Sequence, residues 1–433
     1  MKKIMFLTAF SLLSTSVFSS EKTDKTFLNN LKAQGINPSE QSYCYTNEDN
    51  KLQGMNADLK IRLASTSKLI TSLWAVEKLG IDYIFPLKLT IKGKNLHLEG
   101  SYDPFLNNEK IYYLLSQLNE LGYESFDTIT FDKLVYINPG AQYYAGEHPY
   151  INASTNIANI KKYFNTETWS QELKNEYSSY YNLAKSGKYR KDVKMEVSNV
   201  KFSETNPFAS DNTAKVLTLK SPPLYKYLKE MNVKSNNYVA ETLFRKLGNV
   251  SKFNAFASER FALDSDKIKL WTGSGLPYVD DENNRFDNYA SCSIVLDFIK
   301  ELKESAEKQG RELQDVVAVP GNDKGTFANR LFPEDFKNSF VAKTGTLMHT
   351  SALAGAMNTK KGYSFFGIFN MTSDNSGAKE VQNEMVKSIM KDMGGPKSFE
   401  YEVEGFHSYG NDTLKNGFSE EETDFSSIEG QLE

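Results

Sequence analysis

Between Leu63 and Gly80 the chain carries a helix that is apolar almost throughout, with a hydroxyl and an amine at its head. Leu69, Ile70, Leu73, Trp74, Val76 and Leu79 recur at helical spacing from Thr66 onward, and Gly80 supplies the left-handed stop. A helix of this kind is buried, and Ser65 and Lys68, three residues apart, share one of its faces. If that face looks into a cleft, the pair has a chemical use. A serine hydroxyl is a poor nucleophile until a base stands beside it, and a lysine becomes that base when burial or a neighbouring cation lowers its pKa. A serine at a helix N-terminus also offers its backbone N–H to an oxyanion. Alone, the spacing says little, because Ser198/Lys201, Ser305/Lys308 and Ser376/Lys379 share it.

With 433 residues, 39% of them hydrophobic, the chain can bury a large core, and its length predicts two or three domains. The 51 basic and 55 acidic residues leave a net charge of -4, which argues against nucleic acid as a partner. Lys2 and Lys3, the uncharged apolar run from Ile4 to Phe18, and the small residues Val17 and Ser19 read as a secretory signal peptide over 1–19, cut near Ser19/Ser20. The run falls short of the roughly 20 residues that span a bilayer. The expectation is therefore a periplasmic or secreted protein that is not integral to the membrane once the leader is removed. Cys44 and Cys292 are too few for a disulfide framework; they either pair or remain two buried thiols. His97, His148, His349 and His407 show no metal-ligand spacing, and no metal or organic cofactor is expected.

Thr26 to Ala33 reads as a short helix, and Gln41 to Leu63 as two antiparallel strands leading into Ser65. From Pro86 the texture changes to strand-like runs, Leu87 to Ile91, Asn95 to Leu98 and Thr128 to Tyr136, with helices predicted over Glu109 to Leu121 and Trp169 to Ser186. Residues 86–212 are read as one inserted domain. Helices return at Pro222 to Met231 and Tyr238 to Leu247, Gly273-Ser274-Gly275 marks a tight turn, and Ala290 to Leu302 is amphipathic. Phe340 to Thr346, Ala352 to Met357 and Tyr363 to Asn370 read as strands, and Ala378 to Met393 as a last helix. The catalytic domain then comprises residues 20–85 and 213–393. A tail over 394–433, acidic near its end, is expected to pack loosely.

An acyl-transfer site on Ser65 and Lys68 needs an anion-binding strand and a proton relay. Lys343-Thr344-Gly345 supplies the strand: a lysine and a hydroxyl can hold a carboxylate, and the glycine lets another chain approach the edge. Three Ser-x-Asn tripeptides compete for the relay, at Ser210, Ser235 and Ser373. Ser235 sits on a short connection between two apolar helices and is preferred. Its middle residue is Asn236, where the signature tripeptide has Asp.

The order Ser-x-x-Lys, Ser-x-Asn, Lys-Thr-Gly, together with Ala64 to Thr71, Ser221-Pro222-Pro223-Leu224, Ser235 to Glu241, Gly273-Ser274-Gly275-Leu276 and Lys343 to Thr346, resembles the serine-type D-Ala-D-Ala carboxypeptidase/endopeptidase family. These are the class C low-molecular-mass penicillin-binding proteins. The resemblance covers most of the mature chain outside residues 140–212. It implies an α+β fold with a penicillin-binding-protein/β-lactamase-like transpeptidase domain, an antiparallel sheet between helical layers, with one inserted smaller domain. It further implies that Ser65 attacks the carbonyl of a D-Ala-terminated or D-Ala-linked peptidoglycan peptide. Lys68 takes its proton, Ser235 shuttles a proton to the leaving amine, and Asn237 holds the substrate amide. Lys343 supplies charge and Thr344 binds the carboxylate beside Gly345, while the N–H groups of Ser65 and Thr346 form the oxyanion hole. Mutual repulsion of the two lysines is expected to keep Lys68 neutral enough to act as base. β-Lactam antibiotics would be inhibitors. A β-lactamase and a catalytically silent peptidoglycan-binding protein are the alternatives, and terminal D-Ala removal and cross-link cleavage are equally compatible with the motifs.

Overall fold

The computed structural model describes residues 21–141, 152–183, 189–410 and 415–416; the leader, His148 and the last acidic stretch lie outside them. Helix α1 (Glu21–Ala33) leads to β1 (Gln41–Thr46), β2 (Leu52–Met55), β3 (Ile61–Arg62), a 3₁₀ turn at Ala64–Thr66 and α2 (Ser67–Leu79). There follow β4 (Leu87–Lys92), β5 (Asn95–Glu99), α3 (Asn108–Glu120), β6 (Ser125–Phe131), α4 (Ala153–Tyr163), α5 (Gln171–Leu183), β7 (Glu196–Phe202) and β8 (Lys215–Leu219). The chain continues through α6 (Leu224–Lys234), α7 (Asn237–Lys246), α8 (Asn249–Phe261), β9 (Tyr278–Val279), β10 (Arg285–Phe286), β11 (Tyr289–Ala290) and α9 (Cys292–Lys308). Last come β12 (Phe340–Leu347), β13 (Thr350–Thr359), β14 (Gly362–Asn370), α10 (Asn375–Asp392) and β15 (Lys415–Asn416).

Side chains alternate across a strand, so a sheet with two apolar faces must be covered twice. Strands β12, β13, β14, β1 and β2 form such a sheet, in that order and antiparallel throughout. Tyr43, Tyr45, Leu353, Phe366 and Ile368 enter one core with Phe27 and Leu31 of α1 and Val381, Met385 and Ile389 of α10. The intervening Cys44, Ala352, Ala354, Phe365 and Phe369 enter the other, against Leu69, Ile70 and Leu73 of α2 and Val295, Leu296 and Ile299 of α9. This is the expected antiparallel sheet between helical layers. It leaves β12 at the sheet edge beside the head of α2.

A second, mixed sheet runs in the order β15, β8, β4, β5, β6, β7, with β5, β6 and β7 parallel and the other pairs antiparallel. It has its own core, from Leu87 through Leu118 and Phe131 to Leu219. The strand expected over Thr128 to Tyr136 instead ends at Phe131, because the Asp132 carboxylate accepts the N–H groups of Gly100, Leu134 and Val135 at 3.0–3.1 Å and folds the chain into a turn. The tail departs from expectation as well. Residues 394–410 are docked: Phe399 N donates to Asn338 O (2.7 Å), Tyr401 Oη to Asp323 (2.5 Å), and Ser408 donates through N and Oγ to the Glu109 carboxylate (2.9 Å each). Tyr409 stacks on Tyr113 with ring centroids 4.0 Å apart. Aromatic anchors in an otherwise polar stretch supply the buried area that the composition concealed.

Cys44 of β1 and Cys292 at the start of α9 form a disulfide across 248 residues of chain. Gly367 makes room for it, since a Cβ there would stand 3.0 Å from Cys292 Sγ. In the chain-entropy description a loop of that size contributes on the order of 5 kcal/mol. Reduced protein, and a Cys44→Ser variant, are expected to melt several degrees below the oxidised protein. A midpoint insensitive to reductant would rule the bridge out as a stabilising link.

Candidate active site

The turn that carries Ser65 is held from both sides by glycines. Ala64 leaves β3 at φ 46°, in the left-handed region, and opens the 3₁₀ turn that carries Ser65. At Gly275, φ is 85° and a Cβ would lie 1.8 Å from Ala64 O; at Gly345, a Cβ would lie 3.1 Å from Ser65 N. Each motif glycine therefore brings its own strand or turn directly against residues 63–65. Helix α2 begins only at Ser67, later than the periodicity predicts. The change favours the pairing, since residues three apart eclipse in a 3₁₀ turn and Lys68 stands over Ser65.

Lys68 is completely buried, and its Nζ donates to Ser65 Oγ (3.0 Å), Asn237 Oδ1 (2.7 Å) and Ser274 O (2.8 Å). Burial pulls its pKa down to about 7, and the Glu241 carboxylate offsets part of that fall. Glu241, one turn along α7 from Asn237, accepts Ser274 N (2.9 Å) and Gly273 N (3.2 Å) and so fixes the carbonyl that Lys68 contacts.

Ser235 is the C-cap of α6 and sits at φ 56°, ψ 40°, left-handed for a residue with a side chain. Its Oγ accepts from Lys343 Nζ (2.9 Å), which also donates to Thr344 O (2.7 Å). Lys343 is fully buried, and burial first, then the charge of Lys68, holds its pKa well below the ordinary lysine value. Desolvation, rather than the repulsion between lysines expected from the sequence, is the main cause at both amines. Asn236 caps α7 through Val239 N (3.1 Å) and donates its amide to Ala141 O (2.6 Å). The second bond explains Asn at this position, since an aspartate has no proton to give. Asn237 and Thr344 are buried, Ser65 and Ser235 are half-buried, and Thr346 is exposed at the outer end of β12.

Two linked clusters thus form, Ser65–Lys68–Asn237 and Ser235–Lys343–Thr344, with Gly345 joining the second to Ser65. The rivals lie elsewhere. Ser210 is exposed, Ser373 precedes the Asp374 cap of α10, and Ser198/Lys201 project from β7. Ser305 donates to Glu77, and Ser376 and Lys379 face solvent; His349 is exposed on the turn after β12. Sequence reasoning gave no role to Glu241, although it ends the matched run from Ser235, or to Asn288, whose side chain donates to Ser67 Oγ (3.0 Å) and Thr272 O (2.7 Å) and ties the two turns together. Both are polar side chains whose partners lie 16 or more residues away in sequence.

Residues 43–142 and 195–391 match the D-Ala-D-Ala carboxypeptidase 3 (S13) family. The chain belongs to that family. As a member of the S13 family it is a serine-type DD-peptidase, and the unmatched interval falls where the sequence resemblance also lapses. Among solved structures, the predatory peptidoglycan endopeptidase Bd3459 of Bdellovibrio bacteriovorus superposes with a TM-score of 0.79 at 27% identity, over 87% of this chain and 98% of that one. The predatory endopeptidase Bd0816 of the same organism, solved with immunity protein Bd3460, gives 0.78 at 30% identity, over 86% and 99%. Penicillin-binding protein 4 of Haemophilus influenzae shares the fold at 19% identity, with a TM-score of 0.56 over 84% and 99%. No curated protein matches significantly.

Proposed function

We propose that this S13 peptidase is exported and cleaves D-Ala cross-links between peptidoglycan peptides, with Ser65 as nucleophile. The observation that carries the site assignment is the contact of a buried amine with a pKa near 7, Lys68, on the hydroxyl of Ser65. Near neutral pH a large fraction of Lys68 is uncharged, so it can take the Ser65 proton as Oγ attacks the carbonyl. The N–H groups of Ser65 and Thr346 receive the developing oxyanion. Ser235, fed by Lys343, passes a proton to the departing amine, and Asn237 holds the substrate amide. Lys343 and Thr344 attract the carboxylate beyond the scissile bond. Water then releases the acyl group from Ser65. Cross-link cleavage is favoured over terminal trimming because similar structures at 27–30% identity are described as peptidoglycan and predatory endopeptidases.

Export rests on the Lys2-Lys3 leader and on the Cys44–Cys292 bridge, which suits an oxidising compartment. Among the described residues no helix is long and apolar enough to cross a membrane. We further propose that residues 86–212 form the greater part of one insertion in the transpeptidase-like domain, with its own core.

Penicillin G acylates Bd3459. Incubation of the present protein with a penicillin is expected to leave a covalent adduct on the peptide containing Ser65, absent from a Ser65→Ala variant. Digestion of intact sacculi should convert dimeric muropeptides to monomers with wild type only. Unmodified Ser65 after incubation, or dimers that persist while free D-Ala appears, would overturn the assignment and the cross-link preference respectively.

A further inference from the structure

Beside the active site lies a cluster of rings that no core claims. Trp271 stacks on Tyr278 at 5.9 Å with planes 8° apart, and Phe286 packs against both, at 4.8 and 6.1 Å. Tyr278 and Phe286 face each other across the β9–β10 pair, which turns on the Asp280 carboxylate accepting the N–H groups of Glu282 (3.0 Å) and Asn284 (2.8 Å). None of the three rings belongs to a hydrophobic core of the described residues, and Tyr278 is 44% exposed. A two-stranded hairpin gains little stability from an exposed face, so its display of rings calls for a ligand.

Trp271 and Phe286 form one wall of a cleft of about 620 Å³ whose other side includes Lys60, Arg62 and Tyr289. Lys60 Nζ sits 3.7 Å over the Tyr289 ring and Lys269 Nζ 4.9 Å over Trp271, while Arg62 and Arg285 converge on Asp287. Both walls run directly into the catalytic turns. Arg62 precedes Ser65 by three residues, and Trp271 precedes Ser274, the carbonyl partner of Lys68, by three. Three extended residues reach at most about 10 Å. Leu63 N on Asn288 O (3.0 Å) locks the walls together at that point.

We propose that this cleft binds the sugar chain to which the substrate peptide is attached. A pyranose presents C–H groups on its faces and hydroxyls at its edge. Flat rings with a polar rim match that pattern, and the excess of cations over Glu40 and Asp287 suits a carboxylate-bearing sugar. The proposal rests on the peptidoglycan-peptidase reading and adds to it that the enzyme senses the glycan as well as the cross-link.

Trp74 and Trp169 are buried, which leaves Trp271 as the partly exposed fluorophore of the three tryptophans. Titration with purified peptide-free peptidoglycan glycan chains should change the emission saturably and shield it from acrylamide. In Phe286→Ala, which removes a ring from the cleft wall, the affinity should fall about fivefold or more. The same variant, and Trp271→Ala, should lose the advantage of disaccharide-bearing dimers over bare cross-linked peptides in kcat/KM, with hydrolysis of bare peptides unchanged. No emission change with glycan, no wild-type advantage for sugar-bearing dimers, or equal losses on both substrates would overturn the proposal. Glycan binding by a wild type that cleaves neither substrate would overturn the peptidase reading alone.

Discussion

Replacing Lys68 by methionine is expected to slow acylation of Ser65 by a β-lactam by three to four orders of magnitude, near the upper end of what a positioned general base supplies. Methionine keeps the length and most of the volume of lysine in a site with no exposure, so the turn around Ser65 retains its packing. The wild-type rate should climb with pH through an apparent pKa near 7, because only unprotonated Lys68 can accept the Ser65 proton, and level off above pH 8. The residual rate of the variant should be flat over that range. A variant within tenfold of wild type, or a wild-type profile flat from pH 6 to 8, would remove Lys68 from the role of base.

The same substitution carries a stability signature of opposite sign. Burial depresses the folded-state pKa of Lys68 to about 7, from 10.5 for the free side chain. Between those values the unfolded chain holds a proton that the folded one lacks, so stability rises with pH across the window, and the cost of burial is fully present below pH 7. Lys68→Met has no such term, and it also frees Lys343 of the Lys68 charge, which acts in the same direction once Lys68 is protonated. The stability difference should therefore shift in favour of the variant by about 1.4 kcal/mol per unit as pH falls from 10 to 7, and should not reverse below pH 7. Denaturant titrations at pH 7, 8 and 9 measure it directly.

Much of the fold was legible because its signals are local. The apolar run of α2, the alternation in β12 to β14 and the glycine after α2 each depend on neighbours within a few residues. Elements outside that rule went unseen or were misplaced. Strand β7 is a polar edge strand whose buried side chains are Val197 and Val200, too few to announce a period, and its parallel pairing with β6 is settled by distant contacts. Helix α8 does repeat Val250, Phe253, Phe256 and Ala257, but Gly248, a helix stop placed directly after Leu247, is also the N-cap of α8. The motif residues were identified by order along the chain, which preserves chemistry but carries no distances. Ordering alone could not say that Lys343 reaches Ser235, or that burial outweighs lysine–lysine repulsion.

Glu241 is the clearest case of a residue whose role only the folded chain reveals, and its replacement should also have a large effect. Its carboxylate accepts two backbone N–H groups of the Gly273-Ser274 turn, and the Ser274 carbonyl in turn holds Lys68. Glu241→Ala strips both acceptors; each unsatisfied N–H costs about 1–3 kcal/mol, and the loosened turn should reduce acylation roughly a hundredfold. Glu241→Gln separates positioning from charge. The amide oxygen can still accept Ser274 N, while the NH2 group meets Gly273 N where the second carboxylate oxygen stood, so the melting temperature and the plateau rate should fall, but by less than in Glu241→Ala. The negative charge that supports protonated Lys68 is gone, however, and the acid limb of the rate profile should move below its wild-type position near pH 7. A limb that stays in place in Glu241→Gln would mean that Glu241 scaffolds the turn and leaves the proton affinity of the base untouched.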